Sequence, residues 1–416
     1  MKILLIGSGG REHALAWKMA QNKNVEKIYV APGNGGTAIE DKCENVNLTK
    51  IEDLLKFAKD NKIDLTVVGP EDPLTCGIVD TFKNEGLRIF GPSKKAAMLE
   101  GSKSFSKEFM KKYGVKTAAY EKFTDADKAL KYLETCPYPA VIKADGLAAG
   151  KGVSICATKE EAQKEVKAYM IDDIFNGAGK KIIIEEFLEG VEASILSITD
   201  GNVIVPFISA KDHKQIYDGG KGPNTGGMGA VAPNPFVTSD ILKDFKENIM
   251  SKTLEGIKEE GFDYHGIIFF GLMMTKKGVY LLEYNVRMGD PETQSVLYLM
   301  DSDLVDLIEA SIDEKLSEEN VTWKKGVCIN VVLASKGYPL KYNKGYEIKI
   351  DKEIKSKVFF AGAKKEDSVL KTNGGRVLSV IGMGKDESEA RDDAYSNLKY
   401  VKFDGAYYRK DIGTFK

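Results

Sequence analysis

From Lys2 to Phe90, short apolar runs alternate with helix-like stretches, and most runs end in glycine or proline. Lys2–Ile6 runs into Gly7-Ser8-Gly9-Gly10, and a helical pattern follows at about Glu12–Gln21. Lys27–Val30 stops at Ala31-Pro32-Gly33-Asn34. Leu65–Gly69 follows a helical Ile51–Asn61, and Arg88–Phe90 follows a helical Val79–Glu85. Strands met in this order are joined by crossover helices and pair in parallel. The alternation therefore predicts a doubly wound α/β unit over 1–101.

Beyond it the pattern changes. Ser102–Tyr113 is amphipathic, Ala140–Lys143 and Val153–Ala157 are strand-like, Glu160–Ile171 is helical and Lys181–Phe187 is a β-branched strand. Further strands are expected at Glu192–Ser197 and Val203–Ile208, and a long helix at Leu242–Glu260. A hairpin joins Ile267–Met274 to Val279–Val286, and helices follow at Pro291–Met300 and Asp303–Ile312. Asp212–Pro235 has no periodicity and holds six glycines and three prolines, the mark of a long functional loop. The chain turns polar at Glu318–Gly326 and restarts with Val327–Ala334. Short strands at Lys349–Ile350, Val358–Phe360 and Arg376–Gly382 and a helix at Glu387–Leu398 follow. The expected organisation is an α/β and α+β multidomain protein: a core over 102–324 with a small subdomain at about 121–190, then a small α/β domain over 325–416. A length of 416 residues, at roughly 150 per domain, agrees with about three domains.

Bulk properties narrow the function classes. With 60 basic and 62 acidic residues the net charge is −2, which argues against a general nucleic-acid or acidic-membrane binder. The longest apolar run, Gly266–Met274, is too short for a membrane span, and Ile3–Ile6 is too short for a signal-peptide core. A cytoplasmic protein is expected. Five scattered cysteines form no C-x-x-C pair, and three histidines leave no His-rich metal site.

Three motifs carry chemistry. Gly7-Ser8-Gly9-Gly10 lies between a strand and a helix, where backbone N–H groups and the helix dipole favour a phosphate. The dinucleotide fingerprint needs a small residue where Glu12 stands, and no acidic residue closes the second strand. A single substrate phosphate fits better than a nicotinamide cofactor, and a tight turn without ligand fits equally well. Asp145–Gly152 is a glycine-rich loop between two strands. Its small residues let backbone N–H groups approach phosphate oxygens, and Lys143 and Lys151 add charge. In Tyr280–Arg287, alternation puts Glu283, Asn285 and Arg287 on one strand face and Tyr280, Leu282, Tyr284 and Val286 on the other. An acid and an amide side by side suit magnesium, and Arg287 is a fork-shaped phosphate donor. A half-exposed polar strand face explains the same residues.

Taken in order, the chain carries G-S-G-G-R-E-H at Gly7–His13, A-P-G-N at Ala31–Asn34, V-V-G-P-E at Val67–Glu71, G-S-K at Gly101–Lys103 and K-A-D-G-L-A-A-G-K-G at Lys143–Gly152. E-E-F-L-E-G at Glu185–Gly190, G-P-N-T-G-G-M-G at Gly222–Gly229, N-V-R-M-G-D-P-E-T-Q at Asn285–Gln294, N-G-G-R at Asn373–Arg376 and F-D-G-A-Y-Y-R-K-D-I-G at Phe403–Gly413 follow. The ordered set, spanning nearly the whole chain, resembles the phosphoribosylamine–glycine ligase (glycinamide ribonucleotide synthetase) family of the ATP-grasp superfamily. The resemblance implies a preATP-grasp N-domain, an ATP-grasp core with a mobile small subdomain, and a C-terminal domain. It implies ATP-dependent joining of glycine to 5-phosphoribosylamine in de novo purine synthesis. ATP is the co-substrate, with magnesium or manganese, and the protein is expected to be a monomer. Because the sequence ends at Lys416, the later purine activities fused to this enzyme elsewhere are expected to be absent.

Residue by residue, the resemblance implies that Lys103 and Lys143 contact phosphates and that Glu185, Glu186, Phe187 and Leu188 form the hinge meeting adenine. Glu192 then meets the ribose, and Gly146, Ala149, Gly150, Lys151 and Gly152 cover the phosphates. Glu283 and Asn285 are the implied metal ligands, while the preceding strand lacks the third acid found in many relatives. Met288 stands where most relatives have Phe. Gly9, Gly10, Asn34, Asp212, Thr225, Gly226, Gly227, Met228 and Arg287 are the expected substrate contacts, and Arg287 and Lys143 the expected catalytic groups. No general base is assigned, and His213 is expected to be structural. Two rival readings are another ATP-grasp carboxylate–amine ligase and a dinucleotide-dependent oxidoreductase; a nucleotide sensor is a third.

Overall fold

The structure, a computed structural model, describes residues 1–146 and 152–415. The N-terminal strands Lys2–Gly7, Lys27–Pro32, Leu65–Val68 and Ile89–Pro92 pair in parallel, as the alternation predicts, and a short fifth strand that it does not predict, Cys43–Asn45, joins them beside Lys27–Pro32. In the first strand Ile3 and Leu5 belong to one apolar cluster, and Leu4 and Ile6 to another. Both faces are covered, which is why the strand reads as an unbroken apolar run.

This sheet does not end with the N-terminal unit. Tyr264 and His265 pair with Pro92 and Gly91, and the sheet continues antiparallel. It passes through Tyr264–Thr275, Val191–Thr199, Ile204–Asp212, Gly229–Ala232, Val327–Ser335, Arg376–Gly384 and Val358–Phe360. A separate four-stranded sheet, Tyr120–Phe123, Ile182–Glu186, Ala140–Ala144 and Val153–Cys156, carries helices Ala126–Tyr132 and Lys159–Met170. It has its own core around Ile142, Val166, Tyr169 and Ile184.

Several expectations change. Asp212–Pro235 is not one long loop. It contains the hairpin Gln215–Tyr217 with Lys221–Asn224, and the strand Gly229–Ala232. That strand is hidden in sequence because its residues are small; a Cβ on Gly229 would meet the Asn330 carbonyl at 2.6 Å. The expected long helix is Ser239–Phe245 and Ser251–Glu259 with a π turn at Lys246–Met250 between them. The alternation in Tyr280–Arg287 also fails midway. Gly271 pairs with Glu283 but Leu272 pairs with Leu281, so Leu282 sits in a β-bulge. Val279 and Leu281 therefore face the core before the bulge, and Tyr284 and Val286 after it.

Candidate active site

A cavity of about 570 Å³ opens between the small sheet, the large sheet and the N- and C-terminal segments. One end of it is built at the base of the glycine-rich loop. Ser102 caps helix Lys103–Tyr113 by accepting from the Phe105 N–H at 3.2 Å. The Asp145 carboxylate holds the same helix start, accepting from the Ser104 N–H at 2.5 Å and the Ser102 hydroxyl at 3.1 Å. Lys103 is thereby fixed against the loop, its ammonium 3.5 Å from the Gly146 carbonyl. Burial pushes its pKa down.

Lys143 sits on the buried strand Ala140–Ala144, and its ammonium lies 2.9 Å from the Glu185 carboxylate. Lys107 Nζ approaches the same carboxylate at 3.3 Å and donates to Thr117 Oγ1 at 2.7 Å. Two buried cations share one acid, and burial pushes Lys107 down to about 8. Glu185 thus faces inward, and Glu186 accepts from the Ala119 N–H at 2.8 Å. The apolar walls beside them are Val141, Ile155, Phe187, Leu188 and Met273, with Ile155 60% exposed.

The β-bulge leaves Glu283, Asn285 and Arg287 all lining the cavity. Burial pushes the Glu283 carboxyl up, but the fields of Lys214, Lys143 and Lys103 override it and hold it below the usual range. Its oxygen donors, with the Asn285 amide oxygen, fit a hard cation that also takes phosphate oxygens. No group of three or more His, Cys, Asp and Glu side chains that could hold a metal occurs among the described residues. Arg287 differs from the fork-shaped phosphate donor expected. Its Nε donates to Glu71 at 3.1 Å, while Nη2 lies 2.7 Å from Glu100 and donates to Asn285 Oδ1 at 2.9 Å. Glu100 also accepts from the Val286 N–H at 2.7 Å. Arg287 is committed to fixing Asn285.

At the other end the first glycine cluster is organised by Glu12. Its carboxylate accepts from the Gly9 N–H and from Arg11 Nε, each at 2.5 Å, and it is 1% exposed. A Cβ on Gly7 or Gly69 would meet Glu12 at 2.4 or 2.1 Å. Those two glycines make room for a side chain. Asn34 does not reach the cavity: its amide donates to the carbonyls of Ser8, Gly9 and Phe360, and its oxygen accepts from Gly36 and Thr37. It ties the loop to the C-terminal segment.

Asp212, Thr225 and Gly226 line the cavity, but Met228 does not; it is fully buried between Ile216 and Ala334. Gly9 and Gly10 sit beside the rim, where a Cβ would come within 3.2 and 3.4 Å of Asp290. Gly227 packs against Pro291. Burial, with Arg409 and Lys211 nearby, pushes His213 down to about 4, and its buried Nδ1 has no hydrogen-bond partner among the described residues. Ala149, Gly150 and Lys151 lie outside the described residues, while Gly152 lines the cavity. Met288 is core, and its carbonyl accepts from Arg11.

Sequence reasoning gave no role to Arg11, Glu71, Glu100, Lys107, Lys214, Asp290, Glu292 or Arg376, all of which line the cavity. Arg11, Glu71, Asp290, Glu292 and Arg376 stand inside the motifs quoted above, which was the available signal. Arg376 enters from the C-terminal segment and donates to the Gly226 and Asp290 carbonyls at 2.6 and 2.7 Å. Among the described residues no helix is long and apolar enough to cross a membrane.

The family models for phosphoribosylglycinamide synthetase match in three pieces: the N domain at residues 1–100, the ATP-grasp (A) domain at 101–293 and the C domain at 328–415. The chain is 64% identical to a phosphoribosylamine–glycine ligase from Clostridium acetobutylicum, with 100% of both chains covered. It is 52% identical to one from Fusobacterium nucleatum, over 100% of this chain and 98% of that one. The crystal structure of phosphoribosylamine–glycine ligase from Thermotoga maritima is similar with a TM-score of 0.88 at 37% identity, over 99% and 100% of the two chains. A biotin carboxylase from Campylobacter jejuni shares the fold alone, with a TM-score of 0.76 at 14% identity over 99% and 94%.

Proposed function

The chain belongs to the phosphoribosylglycinamide synthetase family, and we propose on that footing that it joins glycine to 5-phosphoribosylamine at the expense of ATP. The products are glycinamide ribonucleotide, ADP and phosphate, a step of purine synthesis. The observation that carries the reading is one cavity with Lys103, Lys143, Glu283 and Asn285 at one end and Arg11, Asp290 and Arg376 at the other.

A carboxylate resists attack by an amine because it is already negatively charged. Transfer of the γ-phosphoryl group makes it an acyl phosphate: a glycine carboxylate oxygen bonds to phosphorus, the bond to the bridging oxygen breaks, and ADP leaves. The amine nitrogen of phosphoribosylamine then bonds to the carbonyl carbon, phosphate leaves, and the nitrogen gives up a proton. No protein nucleophile is needed, so catalysis is positioning and charge neutralisation.

In this reading Lys103 and Lys143 hold the phosphates, Glu186, Phe187 and Leu188 meet adenine, and Glu192 meets the ribose. Glu185 supports Lys143 rather than touching the base, since its carboxylate is taken by lysines. Glu283 and Asn285 would hold magnesium or manganese, which when bound supplies charge neutralisation at the transferring group. Arg287 orients Asn285. Gly9, Gly10 and Arg11 take the sugar phosphate, with Asn34 fixing their loop. Asp212, Thr225 and Gly226 border the glycine.

The division of labour follows 1–101 for the sugar phosphate, 102–324 for the nucleotide and glycine, with the flap at about 121–190, and 325–416 closing the substrate end. The protein acts in the cytoplasm as a monomer, with neither nucleic acid nor membrane as a partner. The test is phosphate release with ATP, glycine and fresh phosphoribosylamine, omitting one component at a time. Release that does not depend on glycine and the amine together overturns the reading.

A further inference from the structure

We infer that Lys107 is a positioning residue of the nucleotide end: it shares the Glu185 carboxylate with Lys143 and so leaves Lys143 incompletely neutralised, free to attract the phosphates of ATP. The inference rests on the phosphate role given to Lys143 above and deepens it. It begins with where the three groups come from. Tyr120 pairs with Glu185, and Glu185 pairs with Val141, so the three form a row across one face of the small sheet. Lys143, two residues beyond Val141, stands on that face too. The other face carries Ile142 and Ile184 into the small sheet's own core. The charged face meets helix Lys103–Tyr113, where Lys107 stands one turn after Lys103. Its ammonium crosses the seam, 3.3 Å from Glu185 Oε1 and 5.6 Å from the centre of the Tyr120 ring.

The balance of charge gives Lys107 its role. Two ammonium groups and one carboxylate are buried together, and among the described residues Glu185 pairs with no other cation. The carboxylate is divided between them. Oε2 lies 2.9 Å from Lys143, while Oε1 takes no hydrogen bond from the described residues and has the Lys107 ammonium beside it. Lys107 is anchored on the core side as well. It donates to Thr117 Oγ1 at 2.7 Å, and Thr117 donates in turn to the Leu281 carbonyl at 2.6 Å. Lys143 meets the core only through the Leu282 carbonyl, at 3.4 Å. All three charged groups line the cavity, so its wall carries one surplus positive charge. Without Lys107 the group becomes a neutral pair of Glu185 and Lys143. A phosphate oxygen must then compete with a buried carboxylate for the Lys143 ammonium.

The experiment measures equilibrium binding of a non-hydrolysable ATP analogue with magnesium, and of adenosine, to the full chain, with steady-state kinetics beside it. In Lys107→Met the affinity for the analogue falls roughly 10- to 150-fold, the loss of a charge-assisted contact. Adenosine, which has no phosphate, binds within about 3-fold of the parent, and this also reports an intact fold. The ATP KM rises with the loss of affinity, and the glycine KM does not. Adding Glu185→Gln to Lys107→Met removes the competing carboxylate and returns the analogue affinity to within about 5-fold of the parent. If Lys107→Met alone does not fold, the double variant carries the test against the same limit. Unchanged analogue affinity in Lys107→Met, or an equal loss of adenosine, overturns the inference. A double variant that binds no better than Lys107→Met also overturns it, and makes Lys107 itself a phosphate contact. A parent enzyme that couples ATP to another acceptor overturns the glycine reading and leaves this inference standing; a parent that binds the analogue no better than adenosine overturns the phosphate role of Lys143 and this inference with it.

Discussion

Gly69 and Glu12 give the sharpest quantitative prediction about the N-terminal loop. A Cβ on Gly69 would lie 2.1 Å from Glu12 Oε1 and 2.7 Å from its Cδ and Cγ, so Gly69→Ala must expel the Glu12 side chain. Expulsion breaks the hydrogen bonds that the carboxylate accepts from the Gly9 N–H and from Arg11 Nε. Buried hydrogen bonds to a charged group contribute about 1.5–3 kcal/mol each, so the substitution should cost about 3–6 kcal/mol. Glu12→Ala loses the same two bonds and should cost about as much. Since both changes destroy one arrangement, the double variant should cost no more than Glu12→Ala alone, a coupling as large as the whole Gly69→Ala cost, about 3–6 kcal/mol. Gly7→Ala is the internal control. Its Cβ also meets Glu12, but Gly7 has φ +128°, a conformation alanine strains to adopt, so removing Glu12 should not rescue it. Urea unfolding followed by the fluorescence of Trp17, on the same helix as Glu12, measures the parent and all five variants, the Gly7→Ala, Glu12→Ala double included. Additive costs for Gly69→Ala and Glu12→Ala would refute the argument that Gly69 exists to make room for Glu12.

Three further outcomes follow from the geometry. Glu283→Gln, which removes the charge of the proposed metal ligand while keeping its size, should lower turnover steeply, most at limiting magnesium, with unfolding unchanged. Gly9→Val should raise the KM for phosphoribosylamine and leave that for ATP nearly constant; a rise for ATP instead would place the nucleotide on the wrong loop. Glu40 reports on the contact between the N- and C-terminal segments. It accepts from His13 Nε2 at 2.9 Å and pairs with Lys357 at 2.5 Å, while the Phe360 N–H donates to His13 Nδ1. Burial pushes Glu40 up, but the His13 and Lys357 hydrogen bonds dominate and hold it at about 2. A carboxyl depressed on folding stabilises fully above its ordinary value near 4.5, and loses that contribution, about 3 kcal/mol, as pH falls toward 2. Glu40→Gln should flatten the acid limb of stability, and an unchanged limb would remove this contact from the account.

The parts legible in the sequence are those fixed by local pattern. Parallel strands covered on both faces show as apolar runs between glycines, and helix Glu387–Leu398 falls where its periodicity puts it. Lys143 and the Glu283–Asn285 pair, which line the cavity, could be picked out because they stand in a short local pattern, whereas Lys103 was reached only through the family resemblance. What failed was whatever depends on a distant partner. The bulge at Leu282 is a property of register against Gly271 and Leu272, so no reading of Tyr280–Arg287 by itself reveals it. Arg287 looks like a free phosphate donor until Glu71 and Glu100, far upstream, are brought beside it. Glycine is the most ambiguous letter of all. At Gly271 the missing side chain leaves cavity floor open; at Gly69 it makes space for a buried glutamate; at Gly229 it admits a neighbouring carbonyl. A phosphate loop, a packing vacancy and a close strand approach impose the same demand on the residue itself. The surroundings alone separate them, and they lie elsewhere in the chain.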